Sequence, residues 1–322
     1  QHYARIIARK SDKQITILNP LLDASLESGD RINATFFPVS IQGNTITIRK
    51  FASKPWTITD FLNSNVLSTA AAALMWQAIQ YELSALVAGG TASGKTSMLN
   101  VLASFFPPNQ RIITIEDTRE LQLPSFLHWI PMITRQPNPE GRGEISMLDL
   151  LINSLRMRPD RILVGEIRRH KEAEVLFEAI HTGHSVYATV HANDVREVFT
   201  RLTNPPIEIP QSMLQAISMI VIQYRNRRTG LRRTFQVAEI MPDGNPRVLM
   251  QLDIARDKMD KLVDSITLKS TLSLLTGMTD AEIVKDLAEK ENVLSWLMAK
   301  NINTVDEVGK VLIHRVHAEV TT

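Results

Sequence analysis

The sequence predicts an α/β fold: a mostly parallel sheet covered by helices on both faces, with a β-rich N-terminal portion and a small α-helical C-terminal region. Three observations predict it. Short, near-continuous apolar runs alternate with helical stretches between Ser84 and Ile240, the pattern of strands buried on both faces. A glycine-rich loop, Gly89–Thr96, stands between the first of those runs and a helical stretch. The 322 residues are 44% hydrophobic and 22% charged, which excludes a disordered or fibrous chain and leaves room for about two domains.

Residues 1–54 read as the C-terminal portion of an N-terminal domain. Thr45-Ile46-Thr47-Ile48-Arg49 alternates with period two after the turn signal Gly43-Asn44, so Ile46 and Ile48 share one face and Arg49 points to the other. This segment is too short to bury a good core alone, and with Gln1 at its start it points to a chain trimmed from a longer protein. Residues 55–68 read as a linker with a short helix capped by Thr59. The Ala-rich stretch Thr69–Gln80 predicts a helix and opens the central domain, residues 69–246. Its strands are Ala85–Val87, Ile112–Ile115, Ile162–Val164 and Val186–Val190, with Phe235–Ile240 a further one. Ser146–Arg156 and Lys171–His181 are the crossover helices, the first closed by Pro159 and the second by Gly183. Residues 247–322 are expected to be helical.

Composition narrows the function. Lys+Arg 36 against Asp+Glu 34 leaves a net charge of +2, which argues against a protein built to coat nucleic acid. There is no cysteine, so disulfides, thiolate zinc sites and cysteine nucleophiles are excluded. The longest uncharged stretch, Phe61–Tyr81, is interrupted by Asn63, Ser64, Asn65, Gln77 and Gln80, so no membrane-spanning helix is expected.

Gly89-Gly90-Thr91-Ala92-Ser93-Gly94-Lys95-Thr96 fits G-x-x-x-x-G-K-[ST] in full. Glycines let successive N–H groups face phosphates, and the helix that follows adds the positive end of its dipole. Lys95 reaches the β- and γ-phosphates, and the Thr96 hydroxyl is offered to Mg²⁺. This reading makes Gly90 through Thr96, with Ser97, the residues that hold ATP.

Acids are needed at such a site to hold Mg²⁺ and to orient or deprotonate water. Ile162–Val164 runs through Gly165 into Glu166, and Ile115 runs into Glu116, Asp117 and Glu120. In an open parallel sheet both strand ends lie at the same carboxyl edge as the phosphate loop. The alternative for each acid is a helix cap or a pair with Arg119 or Arg168. His191 ends another strand and is placed to meet a γ-phosphate or its water, whereas His184 begins that strand and faces away.

Four segments stand in one order: GGTASGKT, IEDTRE, ILVGE and TGHSVYATVHA. Together with PQSMLQAI and RRTFQVAEI they resemble the type II/type IV secretion ATPase superfamily, most closely its archaeal branch of archaellum, pilus and secretion motors. The resemblance covers roughly residues 28–245. It implies a RecA-like core joined by a flexible linker to the N-terminal domain, a homohexameric ring, and ATP held between the domains. It implies a membrane platform protein as partner and a place in the cytoplasm at the inner face of the membrane. It makes Glu120 the base and Glu166 the Mg²⁺-supporting Walker B residue, without dividing those jobs. It also matches Arg31 and Arg49 to the arginines that approach the phosphates from the N-terminal domain; surface pairing is the alternative for both. Thr118 stands where the family usually has proline, a departure that leaves the acids intact. Arg135, Arg142, Arg156 and Arg158 cluster around the third strand, and Arg225, Arg227, Arg228, Arg232 and Arg233 read as a charged hairpin. A RecA-like nucleic-acid translocase is the rival function, and the sequence shows no basic stripe with interleaved aromatics to support it. A scaffold that binds ATP without turnover is the third.

Overall fold

The computed structural model describes residues 1–320, except 12, 27, 52, 53 and 139, with side chains as far as 313. Residues 321 and 322 of the expected helical region lie outside the described residues.

The N-terminal portion is a helix, α1 (His2–Lys10), followed by a three-stranded antiparallel sheet of β1 (Leu21–Ser25), β2 (Arg31–Thr35) and β3 (Thr45–Arg49) in that spatial order. The helix departs from the β-rich expectation. Ala4, Ile7 and Ala8 recur at helical spacing and face the small core, a short periodic stretch that a reading of this segment as strands passes over. These alanines pack with Ile15, Leu22, Ala24, Ala34 and Phe36 in a small core. Ile46 and Ile48 pair with Ala34 and Ile32 across the ladder, yet all five residues of β3 are exposed. The small core draws on α1, β1 and β2, and β3 lies at the edge beyond it. Arg31 and Arg49 stand directly opposite each other on β2 and β3.

Helix α2 (Ile58–Asn63) starts two residues earlier than expected. Thr57, not Thr59, is its N-cap: the Thr57 side chain accepts the Asp60 N–H and the Asp60 carboxylate accepts the Thr57 N–H. The three-residue spacing of Thr57 and Asp60 is the capping-box pattern, which Thr59 lacks because Leu62 occupies its third position. Helix α3 (Thr69–Gln80) is capped by Ser68 and is buried without a break from Ala71 to Ile79.

A nine-stranded sheet forms the core. Its members are β4 (Ala85–Gly89), β5 (Arg111–Glu116), β6 (His128–Ile133), β7 (Arg161–Val164), β8 (Ser185–Val190), β9 (Met219–Arg225), β10 (Arg232–Ile240), β11 (Pro246–Asp253) and β12 (Lys258–Lys261), in the spatial order β12-β11-β10-β9-β4-β8-β7-β5-β6. Strands β4 to β9 pair in parallel, and β9 to β12 are antiparallel neighbours. Helices α4 (Lys95–Ala103), α5 (Met147–Leu155), α6 (His170–His181) and α7 (Val195–Thr203) lie between these strands in sequence. The alternation along each central strand feeds two cores. On β4, Ala85 and Val87 join α3 and α4, while Leu86 and Ala88 join α5, α6 and α7. This double burial is why the strands read as continuous apolar runs.

The helical expectation after residue 246 is corrected in part. The sheet first takes β11 and β12, and helices α8 (Thr267–Thr276), α9 (Asp280–Ala299) and α10 (Val305–Val320) follow. Strand β11 alternates polar and apolar residues only in its second half and β12 is KMDK, so neither resembles the strands of the parallel half. Helix α9 packs along α3, where Gln77 donates to the Asp286 carboxylate and Asp286 pairs with the fully buried Lys290.

Candidate nucleotide site

The loop between β4 and α4 is shaped by the residues it contains. A Cβ added at Gly89 would lie 2.5 Å from the Gln223 carbonyl oxygen on β9, so no larger residue fits there without moving backbone. Gly94 is the N-cap of α4 with φ +99 and supplies no capping side chain. The first four N–H groups of a helix have no partner within it, and here they belong to Lys95, Thr96 and Ser97 of the first turn and their neighbour. The loop thus ends in a row of backbone donors at the positive end of a helix dipole, a site for phosphate. The Ser93 hydroxyl is buried, with no hydrogen-bond partner among the described residues. Thr91 and Ala92 form the exposed rim.

Lys95 Nζ donates to the Gly89 and Gly90 carbonyls at 3.0 and 3.2 Å. Burial pulls its pKa below the usual lysine range, while the charges of Glu166 and Glu120 pull it up. Those two acids, drawn from the ends of β7 and β5, therefore share one electrostatic field with the loop lysine. The parallel order places the strand ends as β4, β8, β7, β5, with His191 next to the loop strand, half-buried, directly after β8. His184 lies at the opposite end of β8, with Nδ1 3.1 Å from the Ala179 carbonyl.

The acids are held by arginines. Arg49 pairs with Glu120 at 2.6 Å. Arg168 donates to Asp117 at 2.7 Å and to Glu166 at 2.7 Å, tying the two acidic loops together. Arg31 sits on Asp23 instead, through two hydrogen bonds of 3.0 and 2.6 Å. Asp23 stands on β1 beside the residue that follows Arg31's neighbour on β2, and that diagonal partner engages the guanidinium first. The charges of Asp117 and Glu120 still help to raise the pKa of Arg31, after the Asp23 hydrogen bond. Arg119 lies over the Trp129 ring at 5.0 Å. Arg135 donates to the Gly143 carbonyl in its own loop.

Three features of the site come from tertiary contacts that the motifs do not show. Glu116 is 3% exposed and accepts the backbone N–H of Glu120 and Leu121 at 3.0 and 3.2 Å. Arg232, in the expected charged hairpin between β9 and β10, donates to the Ala92 carbonyl at 3.0 Å. Asn193 Oδ1 lies 3.0 Å from where a Cβ at Gly90 would stand.

The donor set fits Mg²⁺ held jointly with a nucleotide. Among the described residues no group of three or more His, Cys, Asp or Glu could hold a metal by itself. The Thr96 hydroxyl and Glu166 carboxylate would supply one or two hard oxygens, and Mg²⁺ would take the rest of its shell from phosphates and water.

A profile of the type II/IV secretion system protein family matches residues 24–232. The chain belongs to that family. Among its relatives, MJ0900 of Methanocaldococcus jannaschii is 33% identical across 96% of this chain, which spans 58% of that protein. The type IV secretion system protein PtlH of Bordetella pertussis is 32% identical over 71% of this chain and 77% of its own length. The ATPase DotB of Yersinia pseudotuberculosis has the same fold, with a TM-score of 0.51 and 20% identity over 96% of this chain and 81% of that one. As a secretion-family member, the chain pairs a RecA-like core with a β-rich N-terminal portion and C-terminal helices. Among the described residues no helix is long and apolar enough to cross a membrane.

Proposed function

We propose that this chain is a Mg²⁺-dependent ATPase of a secretion or pilus machine. The observation that carries the reading is the convergence on Lys95: a full phosphate loop, with Glu120 and Glu166 close enough for their charges to shift its pKa. In this reading Gly90 to Ser97 bind the triphosphate, with Lys95 on its outer phosphates. Thr96 and Glu166 hold Mg²⁺, which neutralises phosphate charge when bound. Glu120 orients and deprotonates the attacking water, and His191 contacts the γ-phosphate.

Arg49 belongs to the N-terminal sheet and Glu120 to the core, so their pair spans the 55–68 linker. Opening and closing that pair couples turnover to a hinge motion between residues 1–54 and the ATPase domain. Strands β11 and β12 extend the sheet after residue 246, and helices α8, α9 and α10 pack on the core. The reading extends, as the family resemblance implies, to a homohexamer bound peripherally at the cytoplasmic face and acting on a membrane platform protein of an archaeal-type pilus, secretion or archaellum machine; the secretion role in the name of the relative PtlH supports the machine class.

The test is ATP binding and phosphate release by the purified chain and by Lys95→Ala. The proposal expects Mg²⁺-dependent turnover that falls at least about 100-fold in the variant. Equal turnover in both would refute it, and strong stimulation by single-stranded DNA would favour a nucleic-acid translocase.

A further inference from the structure

Three acids follow β5, and they differ in environment. The side chain of Asp117 is 35% exposed and that of Glu120 29%, whereas Glu116 is 3% exposed. A carboxyl group that deep needs hydrogen-bond donors to be tolerated. Its donors are the backbone N–H groups of Glu120, at 3.0 Å, and Leu121, at 3.2 Å, both on one oxygen. The loop 117–120 therefore closes as a ring over Glu116, with Glu120 at the point of closure.

The same residue borders the other acid. A Cβ at Gly165 would lie 3.5 Å from Glu116 Cα and 3.7 Å from its Cγ, so Gly165, the residue before Glu166, rests against Glu116. The Gly165 N–H donates to the Ile115 carbonyl at 2.8 Å, and the Thr134 N–H to the Glu116 carbonyl at 3.0 Å. Glu116 is thus fixed by strands on both sides of β5 while its carboxylate fixes the loop.

We propose that Glu116 is a positioning residue for ATP hydrolysis: its buried side-chain oxygen anchors the Glu120 backbone and so aims the Glu120 carboxylate at the attacking water. The inference rests on the function proposed above and adds a residue to it. The hydrogen bonds of the Glu116 carboxylate go to the Glu120 and Leu121 backbone, so it acts through the position of Glu120. A displacement of about 1 Å at a reacting group costs on the order of 100-fold in rate, so the loss of this anchor is read in kcat and not in ATP binding.

Two variants of similar size separate anchoring from mere filling of space. Glu116→Gln keeps an oxygen for the two N–H groups, and Glu116→Leu removes it. Steady-state ATP turnover of the full chain is expected to show kcat roughly 10- to 100-fold lower in Glu116→Leu, with KM changed less than about threefold, and kcat largely restored in Glu116→Gln. Adding Glu120→Gln to Glu116→Leu is expected to slow the enzyme no further than Glu120→Gln alone, because both act through one group. Amide hydrogen exchange supplies a readout independent of activity: the Glu120 and Leu121 amides exchange at least about tenfold faster in Glu116→Leu and near wild-type rates in Glu116→Gln. Wild-type kcat in Glu116→Leu, unchanged exchange there, or equal damage in both variants would overturn the inference. A wild-type chain that shows the exchange pattern but no ATP turnover would overturn the proposed function and leave the anchor standing.

Discussion

Arg49, on the edge strand of the N-terminal sheet, and Glu120, in the loop after β5, meet at 2.6 Å across the two parts of the chain. Arg49 is 68% exposed at its side chain, and ion pairs of that exposure contribute about 0–1 kcal/mol. A pair so weak adds little to the fold and can open and close during turnover. Arg49→Ala is therefore expected to shift the melting temperature by less than about 4 °C while lowering kcat about 10-fold or more. Thermal melts beside turnover assays check both, and a large loss of stability with normal kcat would reverse the assignment.

Glu116 makes stability depend on pH. Its carboxyl is pushed up to about 7 from the ordinary 4.5, chiefly by burial, with the Glu120 charge adding to the rise and the two backbone donors and Arg119 opposing it. The folded chain holds this proton more tightly than the unfolded chain. Unfolding consequently releases a proton between those two values, and stability falls as pH rises through that window, by on the order of 2–3 kcal/mol, then levels off above it. Glu116→Gln has no such proton. Denaturant titrations from about pH 5 to 8 should show wild type losing ground to Glu116→Gln as pH rises, and parallel curves would contradict the assignment.

Gly89→Ala places a methyl group 2.5 Å from the Gln223 carbonyl oxygen. Backbone on both sides must move, at a cost of about 1–3 kcal/mol, and the phosphate loop moves with it. The variant is expected to lose stability and ATP affinity together, measured by denaturant unfolding and nucleotide titration.

Helix α9 meets α3 through a buried polar cluster: Gln77 donates to the Ile283 carbonyl and the Asp286 carboxylate, and Asp286 pairs with Lys290 within α9. Lys290 is fully buried, pairs with Asp286 and lies over the Trp76 ring at 5.3 Å. Removing one partner of such a pair costs about 3–5 kcal/mol. Asp286→Ala is expected to destabilise by that amount in chemical denaturation, whereas a joint change of Asp286 and Lys290 to apolar residues should recover most of it.

The parts of the fold legible in sequence are those with a local signature. The phosphate loop, the strand ends bearing Glu120, Glu166 and His191, and helices α3, α5 and α6 each depend on residues within a dozen positions. The parts that were not legible depend on distant ones. Strand β6 carries Pro131 at the sheet edge and is half exposed, so it lacks the apolar run of its neighbours. Glu116 and Asp117 are adjacent in sequence, and only the tertiary packing around Gly165 and the closed loop makes one buried and the other half-exposed. Arg31 was readable as a cation near the site, but its engagement with Asp23 depends on the register between β1 and β2.

The central claim is that Glu120 performs chemistry on a nucleotide gripped by Gly89–Thr96. Single-turnover ATP hydrolysis by Glu120→Gln, with nucleotide affinity measured on the same protein, tests it most directly. The account predicts ATP affinity within about threefold of wild type and a hydrolysis rate lower by at least about 100-fold. Hydrolysis at the wild-type rate would contradict it.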